Sequence, residues 1–207
     1  MSEPSTRPRR PLNPLIEAAF ADVPVCASVV GAARVKDFAA APTAVGVLAS
    51  IPVGELPKVV RVLVHLKKTV FVNIDACPGL AQDRGAIDFL TEIGAQGVVS
   101  TRAALIDRAG ALDMLTMQKV FVTDRSNLNR SLEGVGRSNP DLVEVMPAPI
   151  IPWMPEEARR VLSPFIAAGF VTDVAGVAHS LAMGAVAAAT SDPGLWSLTR
   201  DRLRAGK

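Results

Sequence analysis

Short apolar runs rich in Val, Ala and Ile alternate with longer stretches whose apolar positions recur every three or four residues, and this continues from Val25 to Leu203. A run of the first kind predicts a strand buried on both faces, and a stretch of the second kind an amphipathic helix, so the chain reads as successive parallel βα units. Eight strand candidates can be counted: VCASVV from Val25, AVGVLA from Ala44, TVFVNID from Thr69, GVVST from Gly97, QKVFVTD from Gln118, LVEVMP from Leu142, PFIAAG from Pro164 and AVAAATS from Ala185. Helices are expected over 56–66, 86–93, 103–112, 128–135, 156–162, 174–183 and 195–203. The first unit leaves only 32–40 for its helix, which should be short or irregular.

Eight such units in 207 residues predict one small α/β domain, a single parallel (β/α)8 barrel of the TIM type over residues 16–207, preceded by a flexible arm over 1–15. An open doubly wound sheet of eight strands would need more residues and a switch-point motif. Neither GxGxxG nor GxxxxGK[ST] follows any strand, which argues against nucleotide binding through those loops.

Strand parity assigns the faces. Outward positions of a barrel strand pack on helices, whereas inward positions near the C-terminal end open onto the pocket. Val70, Val72 and Ile74 therefore face the helices, which turns Asn73 and Asp75 into the mouth. Val143 and Val145 do the same for Glu144 and Met146. Ser100, Thr101 and Arg102 end the fourth strand and bring two hydroxyls and a guanidinium to the rim, where Arg102 could pair with a carboxylate or a phosphate. Lys119 is open in two directions: inward, as a phosphate contact or Schiff-base lysine, or outward toward water. Inward Asp75 and Glu144 suit either a polar network that fixes register or the hydroxyls of a bound polyol.

The last two units carry the clearest binding chemistry. Gly169 and Phe170 follow the seventh strand, and Thr190 and Ser191 the eighth, and these two loops often form a barrel's phosphate site. Gly169 permits close backbone approach, and Thr190 and Ser191 add hydroxyl and amide donors. Asp192 before Pro193 predicts a helix N-terminus that would contribute further N–H groups. His65 and His179 fall in helices with no second ligand at metal spacing, so no metal is expected. An enzyme would have to use Asp75, Asp124, Glu144 or Lys119, and the absence of histidine from the mouth favours a sensor over a catalyst.

Composition adds limits. With 49% hydrophobic and 20% charged residues the chain is globular. A net charge of +2 is too small to mark a nucleic-acid binder, and no run is long enough to span a bilayer. Cys26 and Cys77 are read as reduced, buried thiols, which fits a cytoplasmic protein. Arg7, Arg9 and Arg10 in the arm could touch an acidic partner.

In combination and order, GVLAS, VNID with Gly79 and Leu80, GVVSTR, KVFVTDRS, DLVEVMP, AAGFV and GAVAAATSDPGLW resemble the glycerol-3-phosphate-responsive antiterminators, also called glycerol uptake operon antiterminator regulatory proteins. The resemblance implies a barrel that binds glycerol 3-phosphate as effector, with no cofactor, and acts on leader mRNA of glycerol-utilisation operons so that transcription passes a terminator. It further implies that Gly169, Phe170, Thr190 and Ser191 hold the phosphate, that Asp75 and Glu144 contact the glycerol hydroxyls, and that Arg102 supplies countercharge, with Asn73 and Lys119 as further contacts. The chain departs from that pattern at Ala168, Ala189 and Asn73, where relatives tend to carry Gly, Thr and His. RNA contacts would fall to Arg159 and Arg160, or to the tail residues Arg200, Arg202, Arg204 and Lys207. Two other classes remain open: a phosphosugar isomerase or aldolase-like enzyme built on Lys119, and a sensor that acts on a protein partner or as a homo-oligomer.

Overall fold

The computed structural model describes residues 9–205, so Arg7 and Lys207 lie outside the described residues. Eight parallel strands, β1 (Val25–Val30), β2 (Val45–Ala49), β3 (Thr69–Asn73), β4 (Gly97–Ser100), β5 (Leu115–Phe121), β6 (Leu142–Met146), β7 (Phe165–Ala168) and β8 (Ala187–Thr190), pair in chain order. The barrel closes where Val25, Cys26 and Ala27 pair with Ala188, Ala189 and Thr190. The expected (β/α)8 fold is the one observed.

Nine helices are described: α1 (Pro14–Ala19), α2 (Val35–Ala40), α3 (Leu56–His65), α4 (Arg84–Glu92), α5 (Ala103–Gly110), α6 (Arg125–Ser138), α7 (Glu156–Leu162), α8 (Val174–Ala182) and α9 (Arg200–Ala205). The first unit's helix is short, as its length required, and follows a single 3-10 turn over Ala32–Arg34. Three helices start on an aspartate whose carboxylate accepts a backbone N–H: Asp83 from Ala86, Asp124 from Asn127 and Asp173 from Gly176. These caps satisfy N–H groups that a helix start leaves open, and they place fixed negative charge on the same rim as the strand ends.

Strand β5 starts at Leu115, before the expected Gln118, α6 extends the expected 128–135 at both ends, and an unexpected 3-10 stretch covers Ala148–Trp153; two further differences have clear causes. The helix expected over 195–203 is broken into a 3-10 turn, Pro193–Leu195, and α9. Trp196 causes the break: it is fully buried, packs edge-to-face on Phe38 with ring centroids 6.2 Å apart, and donates its indole N–H to the Thr190 carbonyl. Helix α1 begins at Pro14, inside the stretch expected to be an arm, and Asn13 caps it by accepting from Leu15 N–H. Before it, the Arg9 guanidinium donates to the Ser163 carbonyl and to Asn139 Oδ1.

The core has two layers. Between strands and helices pack the outward positions, Val70, Val72, Ile74, Val143 and Val145 among them. Inside the barrel, Val45, Val47, Phe71, Val99, Met117, Leu142 and Ile166 fill the N-terminal half, and Ile16 and Phe20 of the α1 segment close it from below. Gly97 makes room for the Phe71 ring, since a Cβ there would fall 2.4 Å from Cδ1. With its lower half filled by apolar side chains, the barrel carries its polar lumen groups toward the C-terminal ends of its strands.

Candidate binding site at the strand ends

Register decides which polar groups meet in the lumen. Lys119 and Glu144 are direct neighbours across the β5–β6 ladder. The direction of Lys119 is thereby settled: its side chain points inward, and Nζ stands 3.0 Å from Glu144 Oε2. The distance is that of an ion pair, yet Glu144 Oε2 is buried and has no hydrogen bond of acceptable angle. Burial pushes the Glu144 carboxyl up, and the neighbouring ammonium opposes that. Cys26 lies close to both, in an environment where burial first and Glu144 second push its thiol up. This residue and Cys77 are free, buried cysteines, and a protonated buried thiol is chemically quiet.

Asp75 sits at the mouth, as parity predicted, but its carboxylate is already engaged. Oδ1 accepts from the Ser100 hydroxyl at 2.9 Å, and Oδ2 from the Thr101 N–H at 2.6 Å and the Thr101 hydroxyl at 2.9 Å. Asn73 is buried beneath it and accepts from the Asp75 N–H at 3.1 Å. These bonds clasp the β3 and β4 ends together and orient the carboxylate. A carboxylate oxygen accepts two hydrogen bonds, so Oδ1 keeps one position for a ligand hydroxyl. The Arg102 guanidinium donates to the Gln82 carbonyl at 3.3 Å and not to the Asp75 carboxylate.

Across the mouth, Gly169 has φ +80° and abuts the β6 end; a Cβ there would come within 3.2 Å of Met146 Cε. Met146 follows Glu144 on the same strand face, which brings the glycine loop onto the Lys119–Glu144 column. Phe170 is 81% exposed, with φ +60°. The Thr190 hydroxyl, expected as a phosphate donor, instead donates to the Val171 carbonyl at 2.7 Å and ties the β7 and β8 loops together. Ser191 is exposed beside it. The expected helix start is a single 3-10 turn whose Gly194 N–H is capped by Asp192, so that N–H is not open to an anion. The backbone N–H groups of Gly169, Phe170 and Ser191 have no acceptor among the described residues.

Lys119 brings a cation to the mouth, and Glu144 and Asp75 bring acceptors. Such a site can take a small molecule with an anionic end and hydroxyls. Among the described residues no group of three His, Cys, Asp or Glu could hold a metal ion, and His65 and His179 lie on α3 and α8. Asp124 caps α6: the Asn127 N–H and then the Thr123 hydroxyl hold its carboxyl below the usual range, which suits a helix cap better than a general acid.

Residues 25–196 match the family described as glycerol-3-phosphate responsive antiterminator. The chain belongs to that family. A glycerol uptake operon antiterminator regulatory protein from Listeria monocytogenes is 30% identical; the match covers 82% of this chain and 94% of that one, with a TM-score of 0.74. An antiterminator-related protein from Thermotoga maritima is 24% identical over 84% of this chain and 98% of its own, with a TM-score of 0.73, a likeness of fold. An uncharacterized Escherichia coli K12 protein, YgcP, is 27% identical over 72% of this chain and 78% of its own. In this antiterminator family member, no helix of the described residues is long and apolar enough to cross a membrane.

The arginines expected to meet RNA are mostly engaged. Arg200 donates to the carbonyls of Ala21, Phe20 and Val186 at the closed end of the barrel. Arg160 pairs with Glu156 at 3.3 Å and Arg204 with Asp201 at 3.4 Å. Arg159 is half-buried, and Arg202 is exposed on α9. Strand parity singled out the inward carboxylates but not Phe121, which is 47% exposed at the end of β5. The signal was present, since Phe121 shares the parity of Met117 and Lys119.

Proposed function

We propose that this protein binds glycerol 3-phosphate in the barrel mouth and, when loaded, acts on leader mRNA of glycerol-utilisation operons so that transcription passes a terminator. One observation carries the ligand half: a buried carboxylate oxygen of Glu144 lacks an aligned donor and lies under a loop with open amides. A polyol phosphate meets both needs, a hydroxyl donating to Glu144 while the phosphate accepts from Gly169, Phe170 and Ser191. Asp75 takes a second hydroxyl. The regulatory half rests on the family and requires that the ligand bind the RNA-competent state more tightly than the other.

Thermal denaturation with glycerol 3-phosphate, glycerol and inorganic phosphate tests the ligand. At a hundredfold excess over Kd a ligand stabilises by about 2.7 kcal/mol, roughly 5–10 °C in Tm for a domain of this size. Only glycerol 3-phosphate should reach that shift. Leader RNA should then bind more tightly with ligand than without; equal binding of leader and scrambled RNA in both conditions would refute the regulatory half.

The inward direction of Lys119 favours a second reading, an aldolase-like barrel that forms an imine with a triose phosphate. Borohydride treatment with dihydroxyacetone phosphate discriminates. A reduced adduct on Lys119 would establish the enzyme reading, and an unmodified lysine is the result the sensor reading expects.

A further inference from the structure

The rim above the mouth is a poor surface for a polyanion, because Asp83, Asp124, Asp173 and Asp192 cap their helices and turns there. Two grooves lie on the flank of the barrel instead. The larger, about 450 Å³ between α6 and α7, is walled by apolar side chains under Trp153 and carries Asp124 and Glu157 beside Arg125. The smaller, about 330 Å³ between α5 and α6, has a different character.

Helix α6 turns Asn127, Arg130, Ser131, Gly134 and Arg137 into the smaller groove. These positions recur at three- and four-residue spacing, the stripe that would normally be an apolar seam against α5. Gly134 lets the helix lie close on β5, where a Cβ would meet Gln118 Nε2 at 3.2 Å. The floor is the β5 run Gln118, Lys119 and Val120, Thr101 and Ala103 form one rim, and Phe121, on the parity of Lys119, stands at the upper end where the groove meets the mouth. No carboxylate lines it; Asp107 and Glu133 lie outside the lining, and Asp124, whose charge is felt by Arg130, caps α6 at the upper end. Arg130 and Arg137 are exposed, and neither forms an ion pair with a carboxylate of the described residues.

We infer that this groove between α5 and α6 is the surface that takes single-stranded leader RNA, with Arg130 and Arg137 on consecutive phosphates and Phe121 stacked on an unpaired base. The inference rests on the regulatory reading above and gives it a place on the molecule. Two unpaired guanidinia, amide and hydroxyl donors and one exposed aromatic form the combination that single-stranded nucleic acid uses. Strand β5 is the shared wall: Lys119 reaches the ligand from its inner face, Gln118 and Val120 form the groove floor on its outer face, and Phe121 ends it. A ligand that draws on Lys119 therefore acts on the strand that floors the RNA groove.

The test is fluorescence anisotropy of a single-stranded glycerol-operon leader RNA against the full chain at saturating glycerol 3-phosphate and several salt concentrations. Arg130→Ala with Arg137→Ala should weaken binding roughly tenfold or more and reduce the salt slope by about 1.4, the value for two lost single-strand phosphate contacts. Phe121→Ala should cost roughly tenfold with the slope unchanged. The thermal shift with glycerol 3-phosphate should persist in the arginine pair. In wild type, 4-thiouridine-labelled RNA should crosslink to peptides within 118–137, a readout independent of any variant. Ligand-dependent RNA binding that the arginine pair leaves intact, or crosslinks confined to α7 or α9, would overturn this surface while leaving the regulatory reading standing. A wild type that binds no leader RNA would overturn the reading and the surface together. Capture of a polyglutamate peptide in place of RNA, abolished by the same pair, would assign the groove to an acidic protein and overturn the proposal.

Discussion

Glu144 is the residue on which most of the mouth's chemistry turns. Burial raises its carboxyl above the ordinary value and Lys119 pulls in the other direction. A carboxyl whose folded-state pKa lies above the unfolded one contributes stability that is present at low pH and lost as pH rises through the interval between them. Replacing it by Gln removes the titration, so the stability of wild type relative to Glu144→Gln should fall as pH rises from about 4, the unfolded carboxylate value. Thermal melts of the two proteins from pH 4 to 7 check the sign, and the variant should also lose most of the shift with glycerol 3-phosphate. Gly169 gives a second prediction at this scale. At φ +80° a side chain adds strain of about 1–2 kcal/mol, so Gly169→Ala should lower Tm by roughly 2–8 °C. Tested with the same ligand series, it should respond more weakly, because the added methyl presses on Met146 and Pro147 and shifts the loop whose amides are to hold the phosphate. Parity made Asp75 and Glu144 legible from sequence because their strand neighbours are all apolar. Lys119 was not legible, since Gln118 puts a polar group on the outer face and hydrogen-bonds Ser138 there, which erases the contrast. Arg102 and Thr190 lie at or beyond the ends of the ladder, where alternation no longer fixes direction.

The strands and most helices could be read in sequence because each carries its own period and cap. The elements that could not be read depend on distant partners. Helix α1 offers only Ile16 and Phe20 as deep anchors, and its burial becomes visible only once the barrel bottom exists to receive them. Ile16 is fully buried, so Ile16→Ala should cost about 2–5 kcal/mol. Chemical denaturation would show this as a lower midpoint at unchanged slope. Trp196 interrupts the last helix for an equally non-local reason, its ring lying on Phe38 and its N–H on Thr190. Trp196→Ala is expected to cost about 3–5 kcal/mol. Because it also releases the carbonyl of Thr190, it should weaken ligand binding without touching the ligand. Trp196→Phe, which keeps the ring but not the N–H, separates the two effects in the same denaturation and thermal-shift measurements.

Over the whole molecule, the two ends of the barrel have different tasks. The lower end is closed by Phe71, Met117 and Leu142 from the strands and by Ile16 and Phe20 from below, and Arg200 pins α9 to carbonyls there. The upper end keeps its polar groups within reach of solvent, and β5 connects that end to the flank. Closure itself depends on Val25 to Ala27 finding Ala188 to Thr190, strands from opposite ends of the chain. A ribosome releases β1 long before it makes β8, and until then β1 and β7 present open edges of the kind that recruit other chains. The chain is therefore exposed to aggregation for most of its own synthesis. A chain that stops before Ala187 should accumulate as insoluble material even though β1 to β7 are complete.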